Sequence, residues 1–289
     1  MPELPEVETV RRGLHTLIIN RVVRAVQVHD SPKSFPNAPA DVAAFLQGAT
    51  ITAVRRRAKV LLIDLSTNYS LVIHLKMTGQ LVYRGERVFG AGHPNDSLIG
   101  VLPDRSTRAT IEFMDDSRLY FNDQRKFGWM KLLPTAEVPN LPFMQKVGPE
   151  PLEDKFTAEA FAERFVRRKN TNIKAALLDQ TVVAGVGNIY ADESLWGAKI
   201  DPRKKVSDVT KKEFELLFVE LRAVMNLAIE KGGSTDKNYV NAEGKRGSYM
   251  DFARVFRREG LPCPRCGTII EKMKWAGRGT HFCSVCQVG

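Results

Sequence analysis

The sequence predicts an α+β protein of several domains, and three observations carry this prediction. Short apolar runs separated by turn residues fill most of positions 1–133, whereas amphipathic helical patterns fill much of 156–258. All four cysteines lie between positions 263 and 286. A hydrophobic period that changes from two to near 3.6 residues marks a change of architecture. The length of 289 residues provides for about two domains with cores of their own.

Residues 1–133 are predicted to begin with a helix and to continue as an antiparallel β-sandwich or barrel. The helix covers 4–20, because Val7, Val10 and Leu14 recur at three- and four-residue spacing. Short strands with turn signals between them are typical of sandwiches and barrels. They are predicted at 21–28, 51–54, 60–65, 71–75, 109–113, 118–122 and 128–133. Residues 85–103 are rich in Gly, Pro and Asn and are predicted to form a long loop.

The stretch 134–155 has many prolines and no clear period, so it is predicted to be a linker. Helices are then expected, with Thr157 as an N-cap. They are predicted at 157–169, 172–179, 190–196 and 207–231. Residues 234–250 are polar and contain glycine, which predicts a loop inside the 156–258 domain. The last domain is 259–289.

The net charge of +10 and the pI of about 9.5 favour a polyanionic partner. Nucleic acid is the first expectation and an anionic membrane surface the second. The sequence contains no run of about 18 apolar residues, so no membrane span is predicted. The acidic start of the chain lacks the pattern of a secretion signal. A cytoplasmic protein is therefore expected, which agrees with the clustering of the cysteines.

The cysteine pattern is the most specific local signal. Cys263 and Cys266 form one CxxC knuckle, and Cys283 and Cys286 form a second one sixteen residues later. Two such knuckles supply four thiolates to one tetrahedral Zn²⁺ and leave no open position, so the metal is expected to be structural. Free thiols or a redox pair are the alternative.

The first six residues, Met1-Pro-Glu-Leu-Pro-Glu6, offer a nucleophile. Removal of Met1 would leave Pro2 with a free secondary amine, whose reference pKa of about 7.7–8.0 leaves a share neutral at neutral pH. Such an amine can attack an electrophilic carbon and form an iminium. Glu3 and Glu6 could divide acid and base roles. The alternative is a plain helix start, with prolines at its first turn and acids near its dipole.

Five further features favour contacts with nucleic acid, and each also has an ordinary structural alternative. The basic run Arg55–Lys59 and the Arg278 hairpin tip suit phosphates, although both could be solvated surface. Met77 and Phe127 beside Arg125 suit wedging into a base stack, and a core or turn role is the alternative. The glycine turn 184–190 with Asn188 suits an anion at a helix start, and a purely structural turn is the alternative. His74, in a strand, is more often structural.

Together these motifs resemble the bacterial formamidopyrimidine-DNA glycosylases over essentially the whole chain. The matching segments are Met1-Pro-Glu-Leu-Pro-Glu-Val-Glu-Thr9, Arg56-Arg-Ala-Lys59, His74-Leu-Lys-Met77, Arg125-Lys-Phe-Gly128, Val147-Gly-Pro-Glu-Pro151, Gly185-Val-Gly-Asn-Ile-Tyr190 and Gly277-Arg-Gly-Thr-His-Phe-Cys283. The resemblance implies an N-terminal helix on a β-sandwich, a helix–two-turn–helix domain and a zinc-finger hairpin. It also implies double-stranded DNA containing oxidised purines as the partner, and a monomer.

The resemblance assigns the roles of the site residues. It implies that Pro2 attacks C1′ of the damaged nucleotide and expels the base, Glu3 protonates the sugar ring oxygen, and Glu6 supports the site. It implies that Lys59 contacts phosphate and assists catalysis. β- and δ-elimination would then cut the strand on both sides of the lost sugar, which is an AP-lyase activity. It implies that Met77, Arg125 and Phe127 fill the space left by the extruded nucleotide. Phosphates would be held by His74, Lys174, Asn188 and Arg278. Residues 234–250 would close over the base, with Tyr239 as the aromatic that contacts it.

Two departures and two alternatives accompany this resemblance. The family's Lys-His-Asp-His run is replaced by Arg105-Ser-Thr-Arg108, so Arg108 is expected to stand in for a phosphate-binding histidine. The role of 85–103 is not predicted. A sister family that excises oxidised pyrimidines shares the nucleophile, but it begins Pro-Glu-Gly-Pro where Leu4 stands here. A non-catalytic zinc-ribbon DNA-binding protein is the remaining alternative.

Overall fold

A computed structural model describes residues 2–29, 32–93, 95–234, 249–275 and 277–288. The chain divides into two compact units. One comprises Met1–Gln145 with Lys231–Ser248, and the other comprises Lys146–Glu230 with Tyr249–Gly289. Among the described helices, none combines the length and the apolar character that crossing a bilayer requires.

Among its described residues, the first unit begins with two α-helices that accompany two antiparallel sheets. The helices are α1 Leu4–Ile18 and α2 Pro39–Phe45. The strands are β1 Val23–Val28, β2 Ile51–Arg57, β3 Val60–Leu65, β4 Tyr69–His74, β5 Gly79–Arg84, β6 Val88–Gly92, β7 Thr107–Phe113, β8 Arg118–Asp123 and β9 Trp129–Pro134. Their order is β1-β7-β8-β5-β6 in one sheet and β2-β3-β4-β9 in the other.

The predicted sandwich is confirmed, because both sheets and α1 contribute to one apolar core. On α1, Val7, Val10 and Leu14 are buried as their spacing predicts. Gly13 lets the helix approach β6 closely, since a Cβ atom there would lie 2.3 Å from the Phe89 ring. Alternating apolar side chains of both sheets complete the core between them.

The prediction of a long loop over 85–103 was wrong in part. Residues 88–92 form β6, the edge strand that pairs with β5, and Asp96–Leu98 form a short 3₁₀ helix. Phe89 is buried in the sandwich core, and this burial holds a glycine-rich segment in strand conformation. Strand β5, Gly79–Arg84, was also not predicted.

The proline-rich stretch after the sandwich is also more ordered than a linker. Thr135–Asn140 form a 3₁₀ helix, and Val138 packs with Val60, Leu62 and Val72 on the outer face of the four-stranded sheet. Helix α3, Pro142–Lys146, follows. Prolines start and punctuate these short helices because they need no backbone N–H there.

The second unit is helical and ends in a hairpin. Its elements are α4 Ala158–Phe165, α5 Ile173–Leu178, α6 Asn188–Gly197, α7 Lys211–Glu230, β10 Glu271–Trp275 and β11 Arg278–Phe282. The Thr157 side chain accepts the N–H of Ala160 at 3.2 Å, so the predicted N-cap is confirmed. Phe161 packs edge-on or tilted against the rings of Phe165, Phe214 and Phe218, which forms the centre of the helical core.

Candidate nucleic-acid interface and metal centre

The two carboxylates nearest the chain start form the N-terminal cap of α1. Glu3 is the N-cap residue, and Glu6 accepts its backbone N–H at 2.7 Å in a capping box. Such boxes satisfy helix N–H groups that have no intrahelical partner. Pro2, Glu3 and Glu6 are all buried. Glu3 directly follows the predicted nucleophile Pro2 in the chain, and Glu6 lies in the first turn of α1.

Glu6 has a second contact that the sequence pattern did not predict. Its Oε1 accepts the backbone N–H of Ser234 at 2.8 Å. Gly233 has a φ of +92°, and a Cβ atom there would lie 3.2 Å from Cγ of Glu6. The carboxylate thus holds both the start of α1 and the residues before position 235. Most of the predicted capping loop, including Tyr239, lies outside the described residues.

Lys59 stands at the turn between β2 and β3. Ala58 before it has a φ of +52°, and Lys59 itself is buried. The basic run that leads to it is partly neutralised. Arg55 pairs with Asp64 at 2.5 Å and Arg56 pairs with Glu8 at 3.2 Å, so these two cations serve the fold rather than a phosphate.

The Glu8 carboxylate is held ionised beside this turn. Burial by itself would raise its pKa, but hydrogen bonds from Arg11 and Arg12 and the charge of Arg56 lower it. Arg56 also donates to the carbonyl of Ala58 at 2.9 Å. Helix α1 is in this way tied to the turn that presents Lys59.

His74, the last residue of β4, is neutral. Its Nδ1 accepts the backbone N–H of Lys76 at 3.0 Å, which leaves the proton on Nε2. Burial, followed by the charges of Lys76 and Lys59, lowers the pKa of His74 to about 3. A neutral imidazole with an Nε2–H is a hydrogen-bond donor, and it can contact a phosphate without carrying charge.

The structure brings Met77, Arg125 and Phe127 together. An Arg125 NH group lies 3.4 Å from the Met77 sulfur, and the guanidinium lies 4.8 Å from the centre of the Phe127 ring. Met77 is 39% exposed and Phe127 is 52% exposed. Large apolar side chains that project beside an arginine are the arrangement that proteins use to wedge open a base stack.

Three of the predicted contact residues follow a residue in the left-handed region. Ala58 precedes Lys59, Lys76 precedes Met77, and Lys126 precedes Phe127, with φ values of +52°, +51° and +57°. This conformation is unfavourable for residues with a Cβ atom and is often found at functional sites. The backbone at these turns is set to present the next side chain.

Arg108 does not occupy the position that the sequence predicts for it. It is 5% exposed, and its guanidinium donates to the carbonyls of Asp123 at 2.8 Å and Arg105 at 3.0 Å. The guanidinium therefore serves the protein's own backbone. The expectation that Arg108 replaces a phosphate-binding histidine is corrected accordingly.

In the second unit, Asn188 lies against the hairpin that carries Arg278. Its side-chain NH₂ donates to the carbonyl of Gly279 at 2.8 Å. Asn188 is also the first residue of α6, where backbone N–H groups point out of the helix start. Arg278 is exposed at the start of β11, after the turn residue Gly277 with a φ of +72°. The predicted Asn188 and Arg278 positions are thus brought together.

Lys174 departs from its predicted role. Its side chain is fully buried and pairs with Asp192 at 2.6 Å. Its Nζ also donates to the Thr280 hydroxyl at 2.7 Å and to the Gly279 carbonyl at 3.2 Å. Lys174 therefore holds the hairpin strand rather than facing a phosphate, and its predicted direct contact is corrected to a supporting role.

The four cysteines form a zinc-finger centre able to hold one metal ion. Their sulfur atoms all lie within 4.8 Å of one another. The pairs Cys263–Cys286 and Cys266–Cys283 are 3.9 and 3.5 Å apart. Tetrahedral Zn–S bonds of about 2.3 Å require sulfur separations of about 3.8 Å. The donor set therefore fits one zinc ion with no open coordination position.

The surroundings of the centre stabilise thiolate sulfur. Trp196 donates its ring N–H to the Cys263 sulfur at 3.4 Å, and the backbone N–H of Cys286 donates to the Cys283 sulfur at 3.4 Å. Such donors orient metal ligands and stabilise their charge. Arg265, inside the first knuckle, stacks on the Trp196 ring at 3.9 Å. The centre is in this way fixed to the end of α6.

Asp123, which supports the loop that carries Arg125 and Phe127, was not predicted from the sequence. Asp123 is fully buried and accepts backbone N–H groups of the loop that carries Arg125 and Phe127. An Asp that follows a strand and precedes a turn commonly bonds the backbone two residues on. That pattern, Asp123 two residues before Arg125, was a usable signal.

Comparison with known proteins covers nearly all of the chain. Residues 1–130 match the formamidopyrimidine-DNA glycosylase N-terminal domain. Residues 147–239 match the H2TH domain of the same proteins, and residues 260–288 match the zinc finger found in FPG and IleRS. The predicted three-part architecture is confirmed by these matches.

Whole-chain relatives agree. The formamidopyrimidine-DNA glycosylase of Pediococcus pentosaceus is 43% identical over 288 residues, which cover 100% of this chain and 99% of that protein. A Lactococcus lactis FPG mutant in complex with a Fapy-dG containing DNA has a TM-score of 0.86 at 34% identity, with 99% of each chain covered. The wild-type Lactococcus lactis Fpg with an oxidized pyrimidine containing DNA has a TM-score of 0.85 at 34% identity and the same coverage. The chain belongs to the formamidopyrimidine-DNA glycosylase family.

Proposed function

We propose that this protein is a bifunctional DNA glycosylase and AP lyase of base excision repair, acting on oxidised purines such as 8-oxoguanine and formamidopyrimidines. The observation that carries the proposal is the capping box at the chain start, where Glu3 and Glu6 are buried beside Pro2. Membership of the family supports the glycosylase activity. The lyase activity and the purine preference go further and rest on the site residues.

The chemistry begins once Met1 has been removed. The Pro2 nitrogen attacks C1′ of the extruded nucleotide, and the bond between C1′ and the base breaks, with its electrons leaving on the base. The departing base takes up the proton that the Pro2 nitrogen loses, so the neutral base leaves and an aminal remains at C1′. Protonated Glu3 gives its proton to the ring oxygen as the C1′–O4′ bond opens, which leaves an iminium between Pro2 and the sugar. Loss of the 2′ proton then expels the 3′ phosphate, and a further elimination expels the 5′ phosphate.

The contacts with DNA divide between phosphates and the base stack. Lys59, His74, Asn188 and Arg278 contact phosphates near the extruded nucleotide. Met77, Arg125 and Phe127 fill its former place, and Arg125 donates hydrogen bonds to the orphaned cytosine. Tyr239 contacts the extruded base. Arg108 and Lys174 act behind these residues, as their buried contacts require.

The remaining assignments follow from this role. The zinc ion supplies structural cross-linking of the hairpin that carries Arg278 and takes no part in the reaction. Double-stranded DNA with oxidised purines is the partner, and the enzyme acts as a monomer. A substrate of this kind places its action in the cytoplasm.

The decisive experiment is covalent trapping. The Met-processed protein is incubated with an 8-oxoguanine:cytosine duplex and sodium borohydride, and the adduct is measured beside that of Pro2→Gly. Reduction of the iminium gives a stable adduct for the wild type and greatly reduced adduct for the variant. Equal adduct formation by Pro2→Gly, or none by the processed wild type, would refute the chemistry. The intact mass establishes beforehand that Met1 is absent.

A second candidate is the same chemistry on oxidised pyrimidines. It is favoured by the solved Lactococcus lactis relative with an oxidized pyrimidine containing DNA. Relative excision of 8-oxoguanine and thymine glycol from otherwise identical duplexes separates the two. A non-catalytic DNA-binding role, the third candidate, is eliminated by any cleavage at an abasic site.

A further inference from the structure

The loops that carry Met77, Arg125 and Phe127 are neighbouring connections between the two sheets. One leads from β4 to β5 and the other from β8 to β9. Strand β4 pairs with β9, with His74 opposite Trp129, and β5 pairs with β8, with Gly79 opposite Asp123. The two loops therefore cross side by side at one end of the sandwich.

Asp123 joins the two loops through its carboxylate. Its Oδ2 accepts the Gly128 N–H at 2.6 Å, and its Oδ1 accepts the Arg125 N–H at 3.3 Å and the Thr78 hydroxyl. The Thr78 oxygen in turn accepts the Arg125 N–H at 3.1 Å. Thr78 lies next to Met77, so a chain of hydrogen bonds runs from one loop to the other.

The join is buried and fixed from behind. Asp123 is 0% exposed and Thr78 is 7% exposed. The Asp123 backbone donates to Ser106 at 2.8 Å and accepts from the Arg108 guanidinium at 2.8 Å. A buried carboxylate with several N–H and O–H donors holds its partners in one geometry, because any departure leaves a desolvated polar group. The exposed side chains thus stand on a rigid base.

We infer that Thr78 and Asp123 are positioning residues that make Met77, Arg125 and Phe127 enter the base stack as a single unit. Neither residue contacts DNA in this scheme. They act by fixing the relative position of two loops whose side chains fill one vacated space. The inference rests on the proposed function, because filling that space matters only for an enzyme that extrudes a nucleotide.

Two matched substitutions at Thr78 test this positioning role. Thr78→Val keeps the shape but removes the hydroxyl, whereas Thr78→Ser keeps the hydroxyl. Single-turnover excision of 8-oxoguanine from a duplex is compared with borohydride trapping on an abasic site in single-stranded DNA, where no stack has to be filled. The ratio of the two rates should fall about 10-fold in Thr78→Val, as expected for one lost hydrogen bond to a charged group. Thr78→Ser should keep the wild-type ratio.

A second readout follows the wedge directly. A 2-aminopurine placed beside the lesion brightens when the stack opens, and the size of this change should fall in Thr78→Val and be restored in Thr78→Ser. Asp123→Asn puts an NH₂ group against N–H donors. Thermal unfolding first establishes that this variant is folded, and its loss of the rate ratio and of the fluorescence change should then be larger than that of Thr78→Val.

The outcomes separate the two proposals. A wild type that neither excises nor traps overturns the proposed function. If the wild type is active but Thr78→Val and Thr78→Ser have the same ratio of duplex excision to single-strand trapping, only the positioning role is overturned. The positioning role is also overturned if Thr78→Val slows duplex excision and single-strand trapping by the same factor, because the defect would then lie in the chemistry.

Discussion

Glu6 accepts the backbone N–H of Ser234 at 2.8 Å while its other oxygen accepts the N–H of Glu3 at 2.7 Å. One carboxylate thus joins the cap of the first helix to a chain segment more than two hundred residues later. Ser234 is also the first residue of the predicted capping loop, 234–250, and the last one described before position 235. We expect Glu6 to hold the predicted nucleophile and that segment in a fixed relative position, and not to donate or accept a proton in the reaction.

Glu6→Gln tests this expectation. Glutamine has one acceptor oxygen in place of two, so one of the two N–H donors loses its partner. Excision of 8-oxoguanine should fall about 10- to 100-fold, the range for a lost hydrogen bond to a charged group. Weakening of the capping box should cost about 1 kcal/mol of stability, measured by urea unfolding. Full excision activity with the same loss of stability would reduce Glu6 to a helix cap.

His74 should make stability sensitive to acid. Its pKa is lowered to about 3 in the folded protein, below the ordinary pKa of 6.5 for histidine. The unfolded chain therefore binds a proton on His74 below pH 6.5 while the folded protein does not. The stabilisation from neutral His74 is complete above that pH and is lost as the pH falls towards 3, at up to about 1.4 kcal/mol per pH unit.

The measurement is the difference in unfolding free energy between the wild type and His74→Gln. This difference should shrink as the pH falls from 6.5 towards 4, because only the wild type has this titrating group. A difference that stays constant with pH would show that the folded protein protonates His74 as readily as the unfolded chain does.

The buried pair Lys174 and Asp192 should show strong coupling. Both side chains have 0% exposure and lie 2.6 Å apart. Lys174→Met or Asp192→Asn leaves a buried charge without its ion-pair partner, and each should cost about 3–5 kcal/mol. The double variant should cost much less than the sum, since no unbalanced charge remains. Additive losses in urea unfolding would contradict a tight ion pair.

Removal of the metal should release the hairpin. One zinc per chain is expected by colorimetric assay after denaturation, and chelation or Cys266→Ser should lower both the melting temperature and the affinity for duplex DNA. The reason is that the β10–β11 hairpin has little apolar core of its own. Cys266 is the exposed member of the four, so Cys266→Ser perturbs packing least. Unchanged affinity after verified zinc loss would argue against the proposed Arg278 contact.

Local patterns predicted much of this fold. Periodicity and spacing were sufficient for the first helix, for most strands and for the two cysteine knuckles, because each depends on residues that are close in sequence. The helix was predicted at 4–20 and is observed at Leu4–Ile18. The edge strand β6 was missed because glycines at 90 and 92 concealed one buried aromatic, Phe89. Its place in the core depends on pairing with β5, which no local pattern contains.

The charged residues of the site were harder to predict. Sequence identifies a lysine or arginine as a cation but does not reveal its partner. Lys174 meets Asp192 and the distant Gly279, and Arg108 meets the carbonyl of Asp123. Both were expected at phosphates and both are instead buried. Asp123 was overlooked in part for the same reason. The Arg125 N–H two residues on was a usable local signal, but the Thr78 hydroxyl comes from a second loop that meets the first only in the folded sandwich.

The left-handed turns at Ala58, Lys76 and Lys126 bear on any attempt to make this protein more robust. Glycine is the usual choice for relieving such backbone, and at these three sites it would remove the Cβ penalty. The same substitution would also make the backbone more flexible and fix the side-chain directions of the adjoining Lys59, Met77 and Phe127 less firmly. A gain in thermal stability at these turns would therefore weaken the contacts with DNA that we propose, so stabilising substitutions are better sought at Lys199, whose left-handed conformation adjoins none of these residues.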